Sequence, residues 1–351
     1  MNIYDLLEQL ISLEGSDLHI IPGSQPVFRI TGELRPVENT PVLSAEQALT
    51  LIEPLLTKEQ KEYVDVNKEL DLGYQFGDKG RFRINVYYTK GNLAASLRLI
   101  PAEIKTIEQL NLPEAYHRFS SWIQGFVLVT GPTGTGKSST LAAVIDEINE
   151  ERAEHIVTVE DPIEFVYEPK NSIISQRELG HDTKDWEIAL RSALRADPDI
   201  ILVGEMRDKE TMAAALTAAE TGHLVFATLH TNTVAQTIDR IIDVFPSHQQ
   251  SQIRQQLAAT IRAVASQRLI RSTQGGLMPA VELMFANDAI RNLVRESKIH
   301  QIDTVVQTSG AEGMMLIESH LLQMVQKGLI EQEDALKVAF RPKEMARLLN
   351  E

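Results

Sequence analysis

The sequence has no cysteine among its 351 residues. That excludes disulfides, thiol catalysis and any cysteine-based zinc site, and it fits a reducing compartment. Basic residues are also scarce. Thirty-four Lys and Arg stand against 49 Asp and Glu, a formal net charge of −15, whereas a broad nucleic-acid footprint needs a clustered basic face. No apolar run approaches the ~18 residues of a membrane span. Residues 1–14 are amphipathic, interrupted by Asp5, Glu8 and Glu14, and lack the basic opening of a secretory leader, so none is expected. There is no internal repeat and no low-complexity tract. What remains is a globular composition, 43% hydrophobic and 24% charged, in a chain long enough for two domains with cores of their own.

The most specific motif is Gly131-Pro132-Thr133-Gly134-Thr135-Gly136-Lys137-Ser138, followed by Ser139. It follows the apolar run 126–130 and precedes a segment with Leu141, Val144, Ile145 and Ile148 on one helical face. Strand, glycine-rich turn and helix together make a phosphate-binding loop. The glycines let backbone N–H groups wrap the phosphates, with the helix N-terminus adding positive potential. Lys137 should reach the β- and γ-phosphates of ATP, and Ser138 should ligate Mg²⁺.

Three further apolar runs repeat the design. Residues 155–159 lead into Glu160, Asp161 and Glu164, residues 199–204 into Glu205 and Arg207, and residues 224–229 into His230. Near-continuous apolar runs alternating with helical segments indicate a parallel sheet covered on both faces. Ligands of such sheets bind outside the carboxyl ends of the strands. Gly131, Glu160, Glu205 and His230 should therefore converge on one edge, with Glu205 polarising the attacking water and His230 sensing the γ-phosphate. Glu160, Asp161 and Glu164 should crowd negative charge near Mg²⁺, directly or through water. Any one carboxylate alone reads equally well as strand-end solvation. His223, about 23 Å from His230 along an extended strand, is assigned to a structural or subunit-contact role, as are Arg81 and Arg207.

An earlier stretch, 80–99, reads as a hairpin. Phe82, Ile84 and Val86 alternate with Arg81, Arg83 and Asn85, and a turn near Lys90-Gly91 returns the chain through Arg98. A hairpin centred on Lys90-Gly91 opposes Arg83 to Arg98, and one centred on Gly91-Asn92 makes them diagonal neighbours on the same face. Like charges opposed across strands are destabilising, and an anion between them would offset this. Two readings stay open: arginine fingers acting on a nucleotide, including one bound by a neighbour in a ring, or a solvated basic face. Arg191 and Arg195, four apart on one helical face, read equally as subunit contacts or solvated charge.

Together these stretches resemble the PilT family of type IV pilus retraction ATPases, within the secretion-ATPase superfamily. The resemblance rests on SDLHI (16–20), RFRIN (81–85), GPTGTGKSST (131–140), TVEDPIE (158–164), ILVGEMRD (201–208), TGHLVFATLHTN (221–232), QTIDRIIDVFP (236–246) and AIRNLV (289–294). It implies an α/β chain with a RecA-like P-loop ATPase core and a smaller PAS-like α+β N-terminal domain. It also implies ATP and Mg²⁺ as ligands, a homohexamer with arginines Arg83 and Arg98 donated across the ring, and residues 289–294 as a retraction motif. The implied place is the cytoplasmic face of the inner membrane, reached through a pilus platform protein and not through nucleic acid, with a second retraction ATPase as a further partner. Val294 departs from the isoleucine usual at that motif position. Zero cysteines and a short N-terminal region favour retraction over assembly or type II secretion motors, which usually carry a tetracysteine module. A PilU-like accessory role stays open, and a nucleotide kinase or nucleic-acid translocase is the reading from another class.

The expected organisation is an N-terminal domain over 1–100, a linker over 101–121 and the ATPase core over 122–351. Within the core, Thr211–Ala219 reads as a sheet-covering helix, residues 247–271 as helical, and 280–284 as a short strand. The segment after Asn287 reads as a helix with Ala289, Ile290, Leu293 and Val294 packed inward, leaving Arg291, Asn292 and Arg295 on more exposed faces.

Overall fold

Three helix starts in the first seventy residues are set by reciprocal capping. Asn2 and Asp5 open α1 (Ile3–Ser12), Ser44 and Gln47 open α2 (Ala45–Ile52), and Thr57 and Gln60 open α3 (Lys58–Asn67). In each pair the cap side chain accepts from the third helical N–H, and that residue's side chain reaches back to the cap's own N–H. The computed structural model describes residues 2–100 and 103–350. Two units emerge: residues up to Glu103 with Pro162–Val166, and Ile104–Asp161 with Tyr167 onward.

In the first unit the helices accompany an antiparallel sheet of β1 (Asp17–Ile20), β2 (Val27–Ile30), β3 (Glu33–Pro36), β4 (Glu69–Phe76), β5 (Gly80–Thr89) and β6 (Asn92–Ile100). The spatial order is β3-β2-β1-β6-β5-β4. Phe82, Ile84 and Val86 are buried in one core with Leu6, Leu7 and Leu10 of α1, as their alternation requires. Lys90 and Gly91 form the two-residue turn between β5 and β6, both at positive φ (49° and 78°). That is the backbone twist two-residue hairpins favour. It places Arg83 directly opposite Arg98.

The second unit opens with α4 (His117–Ser121) and is built on seven strands: β7 (Gly125–Thr130), β8 (His155–Glu160), β9 (Ile173–Glu178), β10 (Ile200–Val203), β11 (Leu224–Leu229), β12 (Ile261–Arg271) and β13 (Leu277–Phe285). Their order is β13-β12-β7-β11-β10-β8-β9. All neighbours run parallel except the β12–β13 hairpin. Every residue of β7, β10 and β11 is buried, which is why these strands read as continuous apolar runs. Helices α5 (Lys137–Glu151), α6 (Trp186–Ala193), α7 (Lys209–Glu220), α8 (Val234–Asp243) and α9 (Ser247–Thr260) connect them, with α7 covering Thr211–Ala219 as expected. α10 (Asp288–Arg295), α11 (Ile302–Thr308), α12 (Ile317–Gln326), α13 (Gln332–Val338) and α14 (Pro342–Asn350) complete the chain.

Four expectations are corrected. Residues 261–271 are strand and not helix; their alanines suggest a helix, but Ala263 to Gln267 are buried between β7 and β13, the environment of a central strand. β13 is correspondingly longer than 280–284. β9 escapes the sequence reading because its two isoleucines are followed by four polar residues, neither an unbroken apolar run nor an alternation, as an edge strand allows. Residues 104–121 fold with the second unit, burying Tyr116 and Phe119; Pro101 and Ala102 of the expected linker lie outside the described residues.

The motif helix also differs from its sequence reading. Asn287 caps α10 by accepting from Ile290 N–H, 3.0 Å. Ile290 and Val294 are fully buried, but Ala289 is exposed and Leu293 only half-buried. Arg291, expected on an exposed face, donates to the carbonyls of Ala258 (2.6 Å) and Ala259 (3.1 Å), in the last turn of α9. Those carbonyls have no partner within α9, so Arg291 is a clasp between α9 and α10. Arg291→Ala should therefore lower stability by about 1–3 kcal/mol, and Ile290→Ala by about 2–5 kcal/mol. Asn292 is exposed and bonds only Arg295 among the described residues, 2.6 Å, so Asn292→Ala should change thermal unfolding little. Unfolding of the three variants by differential scanning calorimetry checks the order.

Candidate active site

The register of the parallel sheet puts four strand ends at one level. Thr130 at the end of β7 pairs with Leu229 of β11, Val203 of β10 lies beside Ala227 of β11, and Val159 of β8 lies beside Val203. The residues that follow, Gly131, Glu205, His230 and Glu160, therefore share the carboxyl edge.

Gly131 is required by close approach. Its φ is 141°, and a Cβ there would stand 2.4 Å from the Gln267 carbonyl oxygen of β12. Gly134 and Gly136 take left-handed conformations, and no side chain caps the start of α5. The first turn of a fifteen-residue helix thus presents its N–H groups to the loop. Lys137 Nζ folds onto the carbonyls of Gly131 (2.9 Å) and Pro132 (3.0 Å). Uncapped amides around a cation within the loop are the donor set that a polyphosphate takes up.

Glu205 is held from three sides. Gly204 N–H donates to Val159 O (2.8 Å), Met206 N–H donates to Thr228 O (3.1 Å), and Thr228 Oγ1 donates to Gly204 O (2.5 Å). Gly204 sits so close to β8 that a Cβ would lie 3.2 Å from Glu160 Cα. The Glu205 carboxylate, 20% exposed, accepts from Arg207 at 2.8 Å and lies 3.0 Å from His230 Nε2. Burial pushes its pKa up, but the hydrogen bond and charge of Arg207, with His230 and Lys137 behind them, more than offset this and hold it below the ordinary carboxylate range. A carboxylate so placed stays ionised and orients a water molecule more readily than it keeps a proton.

Glu160 is buried, and its Oε1 accepts from Thr158 Oγ1 (2.7 Å) and Gln176 Nε2 (3.3 Å). No cluster of three metal-ligating side chains occurs among the described residues. Ser138 is half-buried in the first turn of α5. His223 lies at the other end of β11, its Nδ1 3.0 Å from Ala218 O and 3.2 Å from Thr221 Oγ1 at the close of α7. Its contacts are structural.

In the first unit Arg83 and Arg98 belong to one row across the sheet, Arg29–Asp17–Arg98–Arg83. The anions that offset their repulsion come from the chain itself. Arg98 Nε donates to Asp17 at 2.9 Å, and Asp71 and Glu164 lie 3.7 and 3.8 Å from the Arg83 guanidinium. Opposed arginines therefore do not by themselves require a phosphate. Asp17 is nearly buried while Arg98 is 71% exposed, so Arg98 is anchored through its Nε. The Arg83 pairs are longer, with Asp71 exposed and Glu164 half-buried.

Three contributors escaped the sequence reading. Arg207, read as structural or a subunit contact, donates to the Glu205 carboxylate. Gln267 buttresses the loop through its carbonyl oxygen and donates from its side chain to Thr140 Oγ1, 2.9 Å; misreading its strand as helix concealed it. Glu282 of β13, fully buried, accepts from the first N–H of α8.

A P-loop followed by a strand-end glutamate and a strand-end histidine on a parallel sheet defines a P-loop nucleoside triphosphatase. A family model described as type II/IV secretion system protein matches residues 2–348. The type IV pilus retraction ATPase PilT of Pseudomonas aeruginosa is 45% identical over 97% of this chain and 99% of its own length. The type IV pilus ATPase PilU of the same organism is 35% identical over 96% of this chain and 88% of its own. A crystal structure of the pilus retraction motor PilT with bound ADP superposes with a TM-score of 0.92 at 42% identity, covering 99% of each chain. The chain belongs to this secretion-system family, and within it to the PilT family of type IV pilus retraction ATPases.

Proposed function

We propose that the chain is a homohexameric motor that hydrolyses ATP to drive retraction of a type IV pilus from the cytoplasmic side of the inner membrane. The observation that carries the catalytic half is the grouping of the Gly131–Ser138 loop, Glu160, Glu205 and His230 at one sheet edge. In this reading the loop amides and Lys137 bind the β- and γ-phosphates, and Ser138 holds Mg²⁺ directly. Glu160 and Asp161 act on the ion through water. When bound, Mg²⁺ would supply positive charge against that developing on the phosphates. Glu205 orients the attacking water, and His230 reports the γ-phosphate to it through their mutual contact. Arg83 and Arg98 supply positive charge to a nucleotide in a neighbouring subunit.

The motor half is supported by the near-complete mutual coverage with PilT and by the stronger identity to PilT than to PilU. No helix among the described residues is long and apolar enough to cross a membrane. Attachment through a platform protein of the pilus machine therefore accounts for membrane association, and α10 offers Asn292 and Arg295 on its exposed side. Deleting the gene and scoring surface pili beside twitching zones tests the reading. Excess pili without twitching are expected; bald cells would make the chain an assembly motor, and unchanged twitching would leave it an accessory ATPase.

A further inference from the structure

We propose that Glu282 is a positioning residue for ATP hydrolysis, fixing the loop that carries His230 against the sheet that carries the phosphate-binding loop. The proposal rests on His230 being a γ-phosphate sensor, as read above. It stands on a chain of contacts. Glu282 Oε1 accepts from Val234 N–H at 2.8 Å, the first amide of α8 and four residues beyond His230. Thr233 caps the same helix by accepting from Gln236 N–H, 3.2 Å. A carboxylate at a helix N-terminus is favoured both by the orphan amide and by the helix dipole.

Hydroxyls complete the attachment. Ser266, directly opposite Glu282 in the β12–β13 register, donates to Asn232 O at 2.9 Å and lies 2.8 Å from Thr130 Oγ1. Thr231 and Thr237 hydroxyls meet at 2.7 Å, and Thr237 reaches back to Thr233 O, also at 2.7 Å. Thr130 immediately precedes Gly131. The His230 loop is thereby tied at Thr231 and Asn232, through Thr237 and Ser266, to Thr130 under the phosphate loop, and at Val234 to β13 through Glu282. Displacing α8 by a fraction of an ångström would shift His230, and with it the carboxylate of Glu205 that His230 touches.

Glu282 also faces charge from the C-terminal helices. Arg341, just before α14, is paired with the buried Glu318 of α12 (2.8 Å) and with Asp303 of α11. His320 of α12 accepts from the neighbouring Val281 N–H, 3.1 Å, and burial keeps it neutral. Burial, with Asp303 and Glu318, outweighs the Val234 amide and Arg341 and pushes the Glu282 carboxyl up to about 7. A folded-state value raised above the ordinary range means stability that is full at acidic pH and is lost as pH rises through about 7. Glu282→Gln, which keeps the acceptor and never ionises, should therefore gain thermal stability over the parent at pH 8 and not at pH 5.

The decisive experiment uses the full chain with Mg-ATP. Glu282→Ala removes the acceptor and should lower kcat at least tenfold, leaving KM within about threefold, whereas Glu282→Gln should recover to within about threefold of the parent. Parental kcat in Glu282→Ala, equal loss in both variants, or a rise in KM at constant kcat would overturn the proposal. Should Glu282→Ala fail to fold, Ser266→Ala breaks the same attachment from β12 and should reproduce the kcat-only loss; parental kcat there would overturn it equally. His230→Ala run alongside separates the two readings. Parental turnover in that variant overturns the sensor role itself, while loss there with parental turnover in Glu282→Ala overturns this proposal alone.

Discussion

Glu205→Gln should abolish turnover while leaving Mg-ATP binding nearly intact. The substitution keeps the shape and one acceptor oxygen but removes the charge that orients water, a loss of about 10²–10⁴-fold for a positioned acid–base group. Binding should survive because the contacts expected to hold the nucleotide come from the Gly131–Ser138 loop, which Glu205 does not touch in any described hydrogen bond. One Glu205 oxygen accepts from Arg207 and the other lies 3.0 Å from His230 Nε2, and each keeps lone-pair capacity for a water molecule. Single-turnover hydrolysis measured beside equilibrium binding of a fluorescent ATP analogue checks the prediction. Parental turnover in the variant would remove Glu205 from the role.

Arg83→Ala should lower turnover about 10³-fold, the low end for arginine fingers. The two arginines of the hairpin are not equivalent. Arg98 is hydrogen-bonded to nearly buried Asp17, so Arg98→Ala should add a stability loss of about 1–3 kcal/mol as that carboxylate loses a donor. Among the described residues Arg83 has only long pairs, to exposed Asp71 and half-buried Glu164, so its removal should leave unfolding almost unchanged and report on catalysis alone. If the arginine acts on a neighbour's nucleotide, mixing Arg83→Ala chains with Lys137→Ala chains should restore part of the activity, because a mixed ring contains sites with both groups intact. No restoration in rings confirmed to be mixed would place the arginine's action within its own chain, or make it surface charge.

The elements that carry phosphate chemistry were legible because each announces itself locally. A glycine-rich turn between an apolar strand and a helix has few other meanings, and strands buried on both faces read as unbroken apolar runs ending in Glu160, Glu205 and His230. The hairpin was legible too, but two centrings of its turn stayed open, and the pairing of Thr89 with Asn92 is what selects Lys90-Gly91. What stayed hidden depends on partners distant in sequence. Residues 261–271 look helical until β7 and β13 are seen to enclose them. Glu282 looks like one more acid until α8 is found resting on it, and Arg291 looks like surface charge until the end of α9 is found beneath it. Opposed Arg83 and Arg98 suggested a missing anion, but Asp17 and Asp71, far off in the chain, already stand there.

The most direct test of the central claim is to label pili on living cells whose chromosomal copy carries Glu205→Gln and to follow single filaments. Pili that extend normally and fail to retract are the result expected of a hydrolysis-driven retraction motor. Retraction at parental frequency and speed, or cells that extend no pili at all, would contradict it.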